Sequence, residues 1–262
     1  MTYLDKVVVV TGGEAGIGKA IVQRLKALSA EVISIDVHAK EETDADGVHH
    51  YPCDISDRKQ VENVIRSIAK RFGRIDVLVN NAGVARPQLL VDTEGKAPQY
   101  EIDDAAFRFL FDINVKGTIN CTQAVVRQFL AGRIAGVVVN MSSEAGLEGS
   151  GGQSLYAATK GAINALTRSW AKELGYKGIR FVALAPGIIE KTDIRSDAFN
   201  EALAYTRHTT VDKLSPNYAS SIPLGRPGLL TEIANAAAFL GSDEASYITG
   251  TVVNVSGGKS RG

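Results

Sequence analysis

Tyr156 and Lys160 stand four residues apart within 155–174, a run whose apolar positions recur with helical period. Residues i and i+4 share one helix face, so a phenol and an ammonium can act on one site. An ordinary tyrosine titrates near pH 10, and bringing it near 7 takes about 4 kcal/mol. A cation about 4 Å away, at an effective dielectric of about 20, supplies roughly that much. The pair is therefore a sufficient device for a tyrosinate base near neutral pH. The same spacing also arises as a plain surface pair on a helix.

A second chemical signal lies near the N-terminus. The run 7–10 leads straight into Thr11, Gly12, Gly13, Glu14, Ala15, Gly16, Ile17 and Gly18, and then into a helical pattern. Glycines at Gly12, Gly16 and Gly18 let the backbone turn tightly and approach a diphosphate whose charge rests on a helix N-terminus. Their spacing departs from the general G-x-G-x-x-G fingerprint. The strand before, the helix after and Asp36, 18 positions past Gly18, make up for that. A carboxylate at Asp36 accepts from both ribose hydroxyls of NAD and repels a 2′-phosphate. Val37 and His38 offer no arginine for that phosphate, and Glu14 adds a second negative charge, so NAD is expected over NADP. The overlapping segment 13–20 is one residue short of a nucleotide-triphosphate loop, and Ala20 has no hydroxyl for Mg²⁺.

These groups need a scaffold. β-branched, near-continuously apolar runs at 7–10, 31–35, 76–79, 136–140, 179–184 and 251–255, with a weaker one at 49–52, read as strands buried on both faces. Between them, 17–28, 61–72, 104–130, 155–174 and 231–240 carry helical period. The alternation predicts an α/β fold, a doubly wound (Rossmann-type) parallel sheet with helices on both faces, in a single domain over 1–262. Two long connections, 85–102 and 190–222, follow strand ends and are expected to be functional loops on the ligand-binding rim; the second is partly helical around 199–207.

Composition excludes much else. With 45% hydrophobic and 22% charged residues among 262, the chain is ordinary globular material rather than a disordered one. Lys+Arg and Asp+Glu balance at 29 each, so no basic field recruits nucleic acid. No run is long enough to span a bilayer, and the N-terminus lacks a signal-peptide pattern. Two distant cysteines and four scattered histidines give neither a disulfide framework nor a metal site. The expectation is a reduced, cytoplasmic protein without a metal.

Ser143 lies thirteen residues before Tyr156, just past the strand run 136–140. With it, the chain resembles the short-chain dehydrogenase/reductase family. The motifs, in order, are 11–18, Asp54-Ile55, Asn80-Asn81-Ala82-Gly83, Asn114, Ser143, Tyr156/Lys160 and Pro186-Gly187, spanning 6–258. The resemblance implies that Tyr156 exchanges the proton of the reacting oxygen, that Ser143 hydrogen-bonds that oxygen, and that Lys160 lowers the Tyr156 pKa and binds the nicotinamide ribose. It implies that Asn114 holds a water linking Lys160 to solvent, that Asp54 and Ile55 face adenine, and that Asn81, Ala82 and Gly83 line a ribose. Pro186, Gly187 and Ile189 would hold the nicotinamide. The family's usual Thr five residues after the Pro is Lys191 here, with Thr192 next, which puts that contact in doubt. Relatives form homotetramers, and the long runs 104–130 and 155–174 suit pairing across a two-fold axis.

Family-variable segments 143–154, 168–175, 185–207 and 247–262, and the enlarged loop 89–101, resemble the branch in Gram-positive bacteria that oxidises sorbitol 6-phosphate to fructose 6-phosphate with NAD. Such a small-molecule substrate needs cations for its phosphate and partners for its hydroxyls. Lys191, Arg195, Arg207, Lys213, Lys259 and Arg261 lie in the rim or tail, Arg195 and Arg207 being the favoured pair, and Glu144 is placed to accept hydroxyls beside Ser143. The alternatives are an enzyme for an unphosphorylated polyol or other secondary alcohol, and a non-catalytic NAD sensor.

Overall fold

A valine-rich strand, β1 (Val7–Thr11), sits at the middle of the sheet and is buried along its whole length. Its side chains alternate between two cores: Val8 and Val10 join one, Val7 and Val9 the other. The same division runs through the other strands, which is why their sequences are apolar almost without interruption. The computed structural model describes residues 1–190, 192, 196–214 and 218–260. The expected positions Lys191, Arg195 and Arg261 lie outside the described residues.

The strands are β1, β2 (Glu31–Asp36), β3 (Glu42–Thr43), β4 (His49–Pro52), β5 (Val77–Asn80), β6 (Val137–Met141), β7 (Arg180–Pro186) and β8 (Thr251–Val255). They form one sheet in the order β3-β4-β2-β1-β5-β6-β7-β8. All neighbours pair parallel except the two-residue β3 against β4. Helices α1 (Gly16–Ala27) and α8 (Leu230–Gly241) cover one face. Helices α2 (Arg58–Phe72), α4 (Thr118–Gly132) and α6 (Ser154–Leu174) cover the other. Strand order reverses between β1 and β5, so their carboxyl ends open a crevice. The fold is the α/β, doubly wound arrangement read from the sequence.

The run 104–130 is not one helix. α3 (Asp104–Phe111), capped by Asp103 accepting from the Ala106 N–H at 2.7 Å, passes into a π-helical stretch at Asp112–Gly117 before α4 begins. Apolar periodicity carries straight across that stretch, so pattern alone joins the two helices. The wider turn carries Asn114, which is 1% exposed. The short edge strand β3 also escaped the pattern, being two exposed residues.

The long connections are cross-braced. Loop 85–102 folds back so that Leu89 bridges Glu101, and Gln88 donates from its N–H to the Gly152 carbonyl at 2.7 Å. Helix α7 (Asp197–Thr206), in the second connection, presents the Tyr205 hydroxyl to Asp92 at 2.8 Å and sets that ring at a tilt against Tyr100. Among the described residues no helix is long and apolar enough to cross a membrane, and no three His, Cys, Asp or Glu side chains gather to hold a metal ion.

Candidate active site

The glycine-rich turn has little room for side chains. Gly12 and Gly16 take φ of +67° and +52°, which favours glycine. A Cβ on Gly18 would collide with the Gly12 carbonyl oxygen, and one on Gly12 would lie 2.8 Å from the Ala82 Cα. Ala15 at the start of α1 provides no side-chain cap, and the first turn holds no acid, so the amide donors there are open to an anion. Both observations fit a dinucleotide diphosphate. The turn is also braced from β5. The Thr11 hydroxyl accepts the N–H groups of Asn81 and Ala82, each at 3.0 Å, while Asn81 Nδ2 donates to the Thr11 and Gly12 carbonyls at 3.0 Å. The Asn81 side-chain amide therefore holds the turn. Gly18→Ala is expected to abolish NADH binding, read as loss of the NADH fluorescence change; retained affinity would show that the turn tolerates the shift.

Asp36 ends β2 with its carboxylate accepting from the His38 N–H at 2.9 Å and the Glu14 N–H at 3.4 Å, which fixes it over the turn. Glu14 differs from expectation. Its carboxylate is turned onto the Ser34 hydroxyl at 2.6 Å and His50 Nδ1 at 2.7 Å, and His50 Nε2 meets Asp44 at 3.1 Å. Burial acts to lower the His50 pKa, but its bonds to Glu14 and Asp44 outweigh that and raise it. The second negative charge is thus committed to a histidine, which leaves Asp36 as the carboxylate over the turn. Asp54 Oδ1 accepts from the Ser56 N–H at 2.8 Å. The Ile55 side chain is buried where Gly117 lacks a Cβ, and its carbonyl takes Asn120 Nδ2 at 2.9 Å.

Helix α6 brings the central residues together. Lys160 is 6% exposed, and its Nζ donates to the Met141 carbonyl at 2.8 Å at the end of β6. Burial pulls its pKa down to about 8. Nζ lies 5.7 Å from the centre of the Tyr156 ring. Ser143 lies two residues past the end of β6, its hydroxyl accepting from the Ala145 N–H at 3.2 Å in α5 (Ala145–Glu148). A Cβ on Gly83 would stand 3.2 Å from Asn114 Oδ1 and 3.5 Å from Lys160 Nζ, so the bare backbone of this turn lies against both. Asn114 pins that backbone: its amide exchanges 2.8 Å bonds with the N–H and carbonyl of Val84 and donates to Thr159 at 3.1 Å. Its side chain has a bracing part that the water-relay reading did not include.

On the far side, the Gly187 N–H donates to the Val255 carbonyl at 3.0 Å, and a Cβ there would lie 2.7 Å from that of Ser256. Ile189 bridges Gly228 through the Ile188 carbonyl and the Glu190 N–H, so its own N–H and carbonyl face the opposite way. Pro186 closes β7 and its carbonyl takes the Glu144 N–H at 2.9 Å. Arg207 is exposed, its guanidinium donating to the Gly151 carbonyl and the Ser150 hydroxyl at 3.2 Å, just ahead of α6. Lys213 is exposed, and Lys259 is paired with Glu144 at 2.8 Å.

Sequence reading missed a buried polar chain under the site. Asn80 Nδ2 donates to Thr122 and to Asn140 Oδ1, each at 2.9 Å, and Asn140 Nδ2 donates to Thr167 at 2.9 Å. It ties the ends of β5 and β6 to the helices behind them. Asparagines closing two otherwise apolar strands were its only sequence signal.

Comparison with known proteins matches this arrangement. Residues 12–260 match the family described as enoyl-(acyl carrier protein) reductase. The chain is 51% identical over 260 residues, 98% of this chain and 97% of the other, to a sorbitol-6-phosphate 2-dehydrogenase of Klebsiella pneumoniae. It is 38% identical over 267 residues, covering 98% and 99%, to a 3-oxoacyl-[acyl-carrier-protein] reductase of Thermotoga maritima. Among solved structures, ligand-free aldohexose dehydrogenase of Thermoplasma acidophilum superposes with a TM-score of 0.82 at 30% identity, covering 98% of this chain and 95% of that one. With likeness along its whole length, the chain is an oxidoreductase of the short-chain dehydrogenase/reductase family.

Proposed function

We propose that this enzyme oxidises a polyol phosphate with NAD, converting sorbitol 6-phosphate to fructose 6-phosphate with formation of NADH and release of a proton. The observation that carries the reading is the 51% identity, end to end, with a sorbitol-6-phosphate 2-dehydrogenase. Asp36, fixed over the glycine turn, supports NAD over NADP.

Gly12, Gly16, Ile17 and Gly18 would take the diphosphate at the open start of α1, Asp36 the ribose hydroxyls, and Asp54 and Ile55 the adenine. Asn81, Ala82 and Gly83 would border the other ribose beside Lys160, with Pro186, Gly187 and Ile189 around the nicotinamide. When bound, NAD supplies the acceptor for the hydride leaving the substrate's carbinol carbon. Tyr156, as phenolate, removes the hydroxyl proton and returns it in the reverse direction. Ser143 donates to the reacting oxygen, and Lys160 stabilises the phenolate by its charge. Asn114 holds the Val84 backbone against Lys160 and is the proposed start of the proton path to solvent.

The 85–102 and 190–222 connections act together as the substrate rim. Arg207 is the described cation suited to the phosphate on that side, and Glu144 accepts hydroxyls. Burial, then the Asp92 carboxylate, pushes the Tyr205 pKa up to about 12, so this hydroxyl remains a donor throughout the assay range. Tyr205→Phe is expected to raise KM for the polyol phosphate by about two- to tenfold with kcat little changed; an unchanged KM would remove the rim from the site. The assembly is proposed to be a homotetramer, and the free, buried Cys53 and Cys121 suit a cytoplasmic setting.

The test is NADH formation, followed by absorbance, from sorbitol 6-phosphate and from sorbitol, each with NAD⁺ and NADP⁺. Turnover confined to the phosphorylated polyol with NAD⁺ is expected. Turnover with sorbitol alone would discard the phosphate, and turnover of neither would discard the substrate class.

A further inference from the structure

Lys259 belongs to a turn built around it. After β8, Gly257 and Gly258 reverse the chain at φ of +64° and +88°. A Cβ on them would lie 2.8 Å from Ile222 and 3.0 Å from Pro223 respectively, so the turn is seated on the end of the second connection. The Lys259 N–H donates to the Ser256 carbonyl at 3.2 Å, the Ser260 N–H to the Ser256 hydroxyl at 3.1 Å, and Asn254 Nδ2 to the Ser260 carbonyl at 2.8 Å. Residues 256–260 are thereby held to one another and to the end of β8. Lys259 Nζ lies 2.8 Å from Glu144 Oε1 and 3.7 Å from Glu148 Oε1. Glu144 directly follows Ser143. Its other oxygen, Oε2, is buried without a hydrogen-bond partner beside Gly187, where a Cβ would stand 3.0 Å away.

We infer that Lys259 is a positioning residue: it holds Glu144 as the acceptor for a substrate hydroxyl beside the reacting carbon, and the cluster turns the phosphate end of the substrate away from the tail. The inference rests on the polyol-phosphate reading above. The Glu144 side chain is 15% exposed and a carboxylate oxygen accepts more than one donor, so the carboxylate that Lys259 holds can take a substrate hydroxyl beside that bond, and a polyol carries hydroxyl donors on the carbons flanking its reacting one. Two carboxylates about one ammonium leave a net negative charge, which opposes a phosphate dianion at this spot. Lys259 therefore does not serve as the phosphate's cation despite its sign. That part falls to Arg207, which donates to Gly151 and Ser150 just ahead of α6.

Steady-state kinetics on Lys259→Met, Lys259→Arg and Glu144→Gln test this, with sorbitol 6-phosphate and sorbitol as substrates and NADH fluorescence titration alongside. Lys259→Met is expected to raise KM for both polyols by a similar factor, about ten- to a hundredfold, with kcat reduced far less and NADH affinity within about twofold. Lys259→Arg is expected to recover most of the loss. A KM increase confined to the phosphorylated substrate would make Lys259 a phosphate ligand and overturn the inference; so would an unchanged KM. If the wild type turns over neither polyol, the substrate reading and the hydroxyl part of this inference fall with it. The clamp is then read from thermal melting of the two single variants and their double. The double variant is expected to melt no lower than either single, whereas additive losses would show that Lys259 does not hold Glu144.

Discussion

Tyr156→Phe is expected to lower kcat for polyol oxidation by about 10²–10⁴-fold, the range that general acid–base catalysis contributes, while NADH binds as before. The substitution removes one oxygen and keeps the ring that Lys160 Nζ faces at 5.7 Å. Lys160 keeps its bond to the Met141 carbonyl, Asn114 keeps Val84, and the glycine turn, braced by Thr11 and Asn81, is untouched. The group that takes the alcohol proton is lost. The variant should therefore show an unchanged NADH fluorescence titration beside a collapsed rate. A rate within tenfold of the wild type would mean that another group accepts the proton, and the assignment of Tyr156 would fail.

How far the site was legible follows from where its information lies in the chain. The glycine turn, Asp36 and the Tyr156/Lys160 pair are local: each depends on spacing within a few residues or across one strand–helix–strand unit. The sheet was legible because strands buried on both faces leave an unbroken apolar record, as in β1. What escaped depends on partners far apart in sequence. Glu14 looked like a free charge until Ser34 and His50, 20 and 36 residues on, proved to hold it. The bracing part of Asn81 was unreadable because its amide meets the Thr11 and Gly12 carbonyls, some 70 residues earlier in the chain. The π-helical stretch at Asp112–Gly117 was invisible because one extra residue in a turn barely disturbs apolar periodicity. Lys259 and Glu144 are 115 residues apart, and no local pattern joins them.

Lys160→Met should separate activity from stability. Lys160 has a folded-state pKa of about 8, lowered from 10.5 by burial. Below pH 8 the folded and unfolded chains both hold the proton, and keeping it buried costs about 3 kcal/mol. Between 8 and 10.5 the unfolded chain binds more protons than the folded one, so stability from this group climbs with pH; above 10.5 the penalty is gone. Methionine removes that dependence. The loss of a donor to the Met141 carbonyl offsets part of the gain, by about 1–3 kcal/mol. Near pH 7 the variant without cofactor should therefore be no less stable than the wild type, yet its kcat should fall by a factor comparable to that of Tyr156→Phe, because the phenolate has lost its cation. Urea unfolding at a series of pH values checks the sign: the wild type should gain about 3 kcal/mol relative to the variant between pH 8 and 10.5. Parallel curves across that window would mean that Lys160 is not held as a buried ammonium. An enzyme that keeps a destabilised cation under its tyrosine gives up stability for a base that works near neutral pH, and this variant measures both sides of that exchange.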